Sequence, residues 1–237
     1  MQKSKIVQQN LLFEKLGLNR NSGLSKITKV CKKLFGKEYN EKLGMWSEHL
    51  VFFAALSESK YKIRKILEIG TFNGETSLIL SYLFPKAIVK TLDLSKSKLL
   101  ESNLYKYAFN EKKDFFTNRN KNLSGKRIIF EEMNSLSLYA KDEYFDLIWI
   151  DGNHNFPFVV SDILNAVRLI SDKGIFLADD IYKTRNFFDK YSDNSGYKIF
   201  ETLKSANIIN THYIRKRINA LNFWSLRSKY IAVATKS

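Results

Sequence analysis

Two rhythms of apolar and polar positions alternate along the chain. From Lys65 onward, short apolar runs rich in β-branched residues are separated by segments whose apolar residues recur at helical spacing. Strands interleaved with helices predict an α/β domain with a mostly parallel sheet. The predicted strands are Lys65–Ile69, Ala87–Asp93, Arg127–Glu131, Phe145–Asp151 and Gly174–Ala178. Glu75 to Phe84 predicts a helix stopped by Pro85, and Lys96 to Phe109 carries Leu100, Leu104 and Tyr107/Ala108 on one face. A further helix runs from Pro157 to Ile170, with Val160, Ile163, Leu164 and Val167 as its apolar face. Pro157 suits the first turn, where its missing N–H costs nothing.

Two more runs, Ile208–Arg215 and Tyr230–Thr235, are separated by a polar and aromatic stretch. The separation is long enough for an antiparallel pair added to the sheet edge, which brings the sheet to seven strands. The segment before residue 60 reads as helical, with Leu43, Trp46, Leu50, Phe53 and Ala54 at helix spacing. The expected division is a helical cap over residues 1–60 and an α/β domain over 61–237. Asn110 to Lys126 is polar and long for a helix–strand connection, so it reads as a loop and a candidate lid.

Composition narrows the class. A chain of 237 residues can bury a core large enough to need no staple. The lone Cys31 excludes a disulfide framework and a cysteine-based zinc site, and points to a reducing compartment. The apolar runs fall far short of the roughly 18 residues that a membrane span requires. Met1 to Leu18 is interrupted by Gln8, Gln9, Asn10, Glu14 and Lys15, unlike a signal peptide. A cytoplasmic protein without a membrane partner is expected.

The formal charge of +15 is unevenly spread. Residues 1–65 carry +9 and residues 181–237 carry +8, whereas 66–180 carry −2. Basic flanks around a mildly acidic centre suit an anionic substrate, nucleic acid or an acidic partner. Against this, Lys outnumbers Arg 30 to 9, as an AT-rich genome would give, and no Lys/Arg block reads as a nucleic-acid code.

The most informative stretch is Ile66-Leu67-Glu68-Ile69-Gly70-Thr71-Phe72-Asn73-Gly74-Glu75-Thr76-Ser77. It is a buried strand, a glycine turn and a helix start in succession, and nucleotide ligands of open parallel sheets bind at such strand ends. Gly70 allows a sharp turn out of the strand, and Gly74 is expected to let a ligand approach the helix start. The glycines are four apart with Phe72 between them, which departs from a dinucleotide fingerprint, and Glu75 stands where a P-loop needs Lys. Glu68 before the turn suits a ligand carrying an amine and a sulfonium. Asp93, about twenty residues beyond Gly74 at the end of the second strand, can accept both hydroxyls of a ribose. The alternative for Asp93 is a helix N-cap.

With these residues in place, the chain resembles the class I S-adenosylmethionine-dependent methyltransferases over roughly residues 60–180. Glu68-x-Gly70-x-x-x-Gly74, with Thr71, Phe72, Asn73, Thr76 and Ser77, resembles their cofactor loop. Asp93, followed by Leu94, resembles their ribose-binding acid. Asn134 and Ser135, after the third strand, stand where the family reads adenine; an Asp commonly occupies the position of Asn134. The resemblance implies a Rossmann-like, doubly wound, mostly parallel seven-stranded sheet, with an antiparallel C-terminal strand pair and an N-terminal helical cap.

A second constellation lies further on. Asp146-Leu147-Ile148-Trp149-Ile150-Asp151-Gly152-Asn153-His154 is a buried strand that delivers Asp151 and His154 to its carboxyl end, and Gly174 to Asp180 delivers Asp179 and Asp180. Carboxylates gathered beside one another require a cation or protons, and all-oxygen ligation suits a hard divalent ion, Mg²⁺ ahead of Mn²⁺ or Ca²⁺. Each residue also has a structural reading, as a helix cap for Asp151 or Asp180 and as a loop contact for His154. Strand-Asp-Gly-x-His, a helix opening near Phe-Pro, and a strand ending Asp-Asp resemble the branch that methylates hydroxyls of sugars and related natural products. That resemblance implies Asp151, Asp179 and Asp180 as metal ligands, Asp151 also beside the cofactor, and His154 with Asp151 as proton acceptors. The expected reaction is methyl transfer to a hydroxyl of a small, sugar-like molecule, with a homo-oligomer left open. Trp46, His49, Tyr182 and Trp224 fall in the elaborations where a substrate pocket would be built. The competing readings are an RNA-directed methyltransferase that uses the basic flanks and a cofactor-binding module without turnover; the missing Asn/Asp-Pro-Pro-Tyr/Phe turn weighs against base-amino methylation and leaves a hydroxyl acceptor on RNA open.

Overall fold

The computed structural model describes residues 2–42, 45–95, 112–184, 193–218 and 229–237. Three helices come first: α1 (Gln2–Lys15), α2 (Arg20–Phe35) and α3 (Glu48–Ser57). They are followed by β1 (Lys65–Ile69), α4 (Glu75–Leu83), β2 (Ile88–Asp93), α5 (Lys112–Leu123) and β3 (Ile128–Glu132). A 3₁₀ turn (Ser135–Ala140), β4 (Phe145–Ile150), α6 (Phe158–Leu169), β5 (Ile170–Ile181), α7 (Ser195–Ser205), β6 (Ile209–Arg215) and β7 (Tyr230–Lys236) complete the chain. The seven strands form one sheet in the order β3-β2-β1-β4-β5-β7-β6. Strands β1 to β5 pair in parallel, and β7 enters antiparallel between β5 and β6. The strand order reverses between β1 and β4, the topological switch point at which such sheets bind ligands.

A period of two sorts the strand residues onto two cores. Ile66, Leu147, Trp149, Ile175, Leu177, Ile231 and Val233 face one side, where they pack with Phe13, Ile27, Phe52, Phe53, Ile79 and Leu80 of the first four helices. Leu67, Ile69, Ile148, Ile150, Phe176, Ala178, Ala232 and Ala234 face the other, against Ile163 and Ala166 of α6 and Phe200 of α7. The N-terminal helices thus share a core with the sheet. Among the described residues, no helix is long and apolar enough to cross a membrane.

Two expectations are corrected. The segment read as a loop over 110–126 contains α5, whose inward face is Phe115, Phe116, Arg119 and Leu123. Arg119 is buried with its guanidinium 4.1 Å from the centroid of the Phe130 ring. A cation stacked on aromatic faces stands where an apolar residue would have completed the helical pattern. Strand β5 is also longer than Gly174–Ala178, because it starts directly at the end of α6. The helix expected over Lys96–Phe109 lies outside the described residues.

Candidate functional site

The carboxyl ends of β1 to β5 open into a cleft of about 650 Å³, within the usual range of small-molecule sites. Its walls are Ile69–Gly70 after β1, Leu92–Leu94 after β2, Met133–Ser135 after β3, Gly152–Asn155 after β4, and Asp180, Tyr182, Phe158 and Lys229 at the far end.

Gly70 holds the turn by necessity. Its φ is +98°, and a Cβ there would lie 2.2 Å from the carbonyl oxygen of Asp151. The turn is stitched between neighbours, since the Gly70 N–H donates to Leu92 O at 2.9 Å and the Asp151 N–H donates to Ile69 O at 2.8 Å. Gly74 has a different role from the one expected. The space beside it is filled by Leu123 and Asn122 of α5, so its missing Cβ admits a helix and not a ligand. Asn122 Nδ2 donates to Asn73 O at 2.9 Å, and the Phe72 ring, on a residue with φ +47°, packs edge-on against Phe115 at 5.2 Å. The element read as a lid is the platform on which the glycine turn rests.

Asp93 sits at the cleft wall, largely buried. Its Oδ2 accepts from the Phe72 N–H at 3.0 Å and its Oδ1 from the Leu94 N–H at 2.8 Å. Burial raises its pKa against these bonds. The Thr71 backbone is a third donor to this carboxylate, whose two oxygens have about four acceptor sites in all, so capacity remains for a hydroxyl from the cleft. Asn134 also lies at the wall, but its Oδ1 accepts from the Leu136 N–H at 3.0 Å and so caps the 3₁₀ turn. Ser135 is beside it.

Glu68, expected to face the ligand, is not part of the cleft wall. It is 1% exposed and accepts from the hydroxyls of Ser77 and Thr91, which pins α4 to β1 and β2. The Thr71 hydroxyl joins the same cluster through Thr91 at 2.7 Å. Burial pushes the Glu68 carboxyl up to about 7. Thr76, in the first turn of α4, is half-buried and not on the wall.

At the other end, His154 lies on the wall, with Nε2 at 3.5 Å from Asp151 Oδ1 and its side chain about a quarter exposed (27%). Burial lowers the His154 pKa, outweighing the negative charges of Asp180 and Asp179, so the ring is neutral at ordinary pH. Asp151 is held well above the usual carboxylate range by burial and by the adjacent Asp179. Of the three expected metal ligands, only Asp180 reaches the wall. The cation beside Asp179 and Asp180 is the ammonium of Lys216, and Lys229 adds a second on Asp180. Among the described residues, no group of three or more His, Cys, Asp or Glu side chains is arranged to hold a metal ion.

Of the pocket candidates, Tyr182 lines the cleft. Trp46 donates to Glu75 Oε2 at 3.1 Å and stacks on Tyr39 within the cap. His49 is buried, stacks on Trp149 with centroids 4.8 Å apart, and is pushed down to about 3 by burial. It is a neutral core residue. Trp224 falls outside the described residues. Sequence reasoning missed Lys216, Lys229 and Phe158. The available signal for the two lysines was position: one follows β6 and the other precedes β7, two strands expected to pair.

Residues 67–181 match the sequence profile of a family described as a methyltransferase domain. No curated protein matches the chain by sequence. Among solved structures, the O-methyltransferase TomG of Streptomyces achromogenes, involved in tomaymycin synthesis and solved with S-adenosylmethionine, is 16% identical with a TM-score of 0.50, over 96% of this chain and 95% of its own. An O-methyltransferase from Bacillus cereus, solved with S-adenosylhomocysteine, is 16% identical with a TM-score of 0.50, over 92% of this chain and 100% of its own. An rRNA methylase from Streptococcus thermophilus is 12% identical with a TM-score of 0.52, over 81% and 98%. At such identities the likeness is one of fold, and the fold serves hydroxyl and RNA methylation alike. Residues 67–181, just under half of the chain, thus match a methyltransferase-domain profile, and the chain shares the fold of these structures.

Proposed function

We propose that the protein methylates a hydroxyl of a small molecule with S-adenosylmethionine as donor. The observation that carries this reading is the placement of a neutral imidazole, His154, in the same cleft as the Asp93 carboxylate. The cleft fits the donor on its own terms: Asp93 offers a carboxylate to a ribose, and Asn134 and Ser135 line the wall where a base would stand. When bound, S-adenosylmethionine supplies an electrophilic methyl group on a sulfonium.

This chain's residues supply proton transfer and alignment. With Nε2 turned towards Asp151, Nδ1 of His154 is the ring nitrogen left to accept the acceptor's hydroxyl proton. Asp180 stabilises the imidazolium that forms, since its charge raises the basicity of the ring. Phe158 and Tyr182 give the far end of the cleft an apolar lining, which favours a reaction that neutralises charge. Asp180 and Lys229 present an acceptor and a donor to the hydroxylated substrate.

Calorimetric titration with S-adenosylhomocysteine tests the donor site. Micromolar binding by wild type, weakened at least about tenfold in Asp93→Ala, is expected from the loss of charged hydrogen bonds. Methyl transfer to a panel of small hydroxylated compounds tests the reaction: His154→Gln should keep cofactor binding and lose about two to four orders of magnitude in turnover. Wild type that does not bind S-adenosylhomocysteine would end this reading. Turnover on generic RNA, with none on small hydroxyls, would replace it with the RNA-directed one.

A further inference from the structure

The carboxylates expected to ligate a divalent ion already share a cation. In a regular strand, consecutive side chains point to opposite faces, so Asp179 and Asp180 should diverge. Asp180 instead adopts φ +50°, and the β5–β7 register shifts between Ala178 and Ile181. The irregularity turns both carboxylates onto one ammonium: Lys216 Nζ lies 2.5 Å from Asp179 Oδ2 and 2.7 Å from Asp180 Oδ1. A left-handed non-glycine residue is held only where its surroundings over-determine it.

The lysine is delivered as deliberately as the acids. Arg215 and Tyr230 are register partners of β6 and β7, so Lys216 and Lys229 stand side by side just beyond the pair. The Lys216 N–H donates to Lys229 O at 3.0 Å, and Lys229 Nζ reaches Asp180 Oδ2 at 2.7 Å. The Lys216 side chain is 7% exposed, and its carbonyl accepts the Glu48 N–H at the start of α3 at 3.0 Å. Asp179 and Asp180 face the ammonium groups of Lys216 and Lys229, charge for charge. A divalent ion would add two positive charges to that balanced set and would have to displace Lys216 from both carboxylates. The residues present do not fit such an ion.

We propose that the Lys216 ammonium occupies the cation position of the Asp151–Asp179–Asp180 cluster, so that the centre works without a divalent metal and Lys216 is a positioning residue for Asp180. This deepens the hydroxyl-methylation reading and rests on it for its catalytic meaning. Chelation of the substrate is then no requirement, and an acceptor with a single hydroxyl suffices.

Mn²⁺ binding followed by electron paramagnetic resonance tests the proposal, on wild type and on Lys216→Ala. Wild type should leave the free-ion spectrum unchanged, whereas Lys216→Ala, with Asp179 uncompensated and Asp180 left only Lys229, should bind one Mn²⁺ and gain thermal stability from it. Mn²⁺ binding by wild type that Asp179→Asn abolishes would overturn the proposal, and so would a folded Lys216→Ala that gains no ion. If Lys216→Ala does not fold, the wild-type titration alone decides. S-adenosylhomocysteine calorimetry on the wild-type sample separates the two ideas, since failure there removes the functional reading and leaves the cation result standing.

Discussion

Glu68 and Thr91 face one another across the β1–β2 register, and the Thr91 hydroxyl donates to Glu68 Oε2 over 2.7 Å. The carboxyl is buried and its pKa is raised from 4.5 to about 7 by burial, against the bonds from Ser77 and Thr91. The folded state therefore binds the proton more tightly than the unfolded one. Its contribution is full below 4.5 and is lost as pH rises through about 7. The loss amounts to about 3 kcal/mol at most. Denaturant unfolding of the apo protein should show stability falling between about pH 5 and pH 8, and Glu68→Gln should flatten that slope. Parallel profiles for the two proteins would show that Glu68 does not titrate there.

Gly70 and Gly152 both line the cleft, yet they should respond differently to a methyl group. At Gly70 a Cβ meets the Asp151 carbonyl oxygen at 2.2 Å on a left-handed backbone. At Gly152 the nearest atom, Asp162 Oδ2, is 3.4 Å away, an ordinary contact. Gly70→Ala should lose about 3 kcal/mol or more, and Gly152→Ala less than about 1 kcal/mol. Urea denaturation of the two variants decides it, and equal losses would mean that the turn relaxes freely.

Asn122 ties α5 to the glycine turn through Asn73 O at 2.9 Å. Asn122→Ala should cost about 1 kcal/mol, the usual net value of one hydrogen bond. It should also speed amide exchange at Phe72 and Asn73 more than in β4, because local opening follows local contacts. Uniform acceleration across the sheet would place the effect in global stability instead.

Features that depend on local pattern were legible in the sequence, and those that depend on partners far along the chain were not. The succession Ile66–Ser77 gave strand, turn and helix because hydrophobic run, glycine and helix start are adjacent. Asp93 and His154 were placed at the cleft by the rule that strand ends converge. The buried place of Glu68 has no local signature, since its partner Thr91 is 23 residues away, and the side-chain carbons beside Gly74 belong to α5. Helix α5 hid its inward face behind Arg119, which reads as solvent-facing until Phe130 covers it. Lys216 was one lysine among 30; its meaning depends on the β6–β7 register and on the turn at Asp180, neither of which has a local signature.

Docking of the cap depends on a buried ion pair. Arg20 Nε donates to Glu48 Oε2 at 2.8 Å, and its second nitrogen reaches Oε1 at 2.6 Å. The side chains are 8% and 1% exposed. Gln9 adds Nε2 to Glu48 Oε2 at 3.3 Å and exchanges two bonds with the backbone of Arg215, so α1, α2, α3 and β6 meet at this point. Burial opposes the Arg20 charge, and Glu48 more than restores it. Removing one partner leaves a buried charge alone, so Arg20→Met should lose about 3–5 kcal/mol. Replacing both, as Arg20→Met with Glu48→Leu, should recover most of that loss, because the backbone bond from Glu48 to Lys216 O does not need the carboxylate. A double variant as unstable as the single one would show that the pair holds the cap by geometry and not by charge compensation.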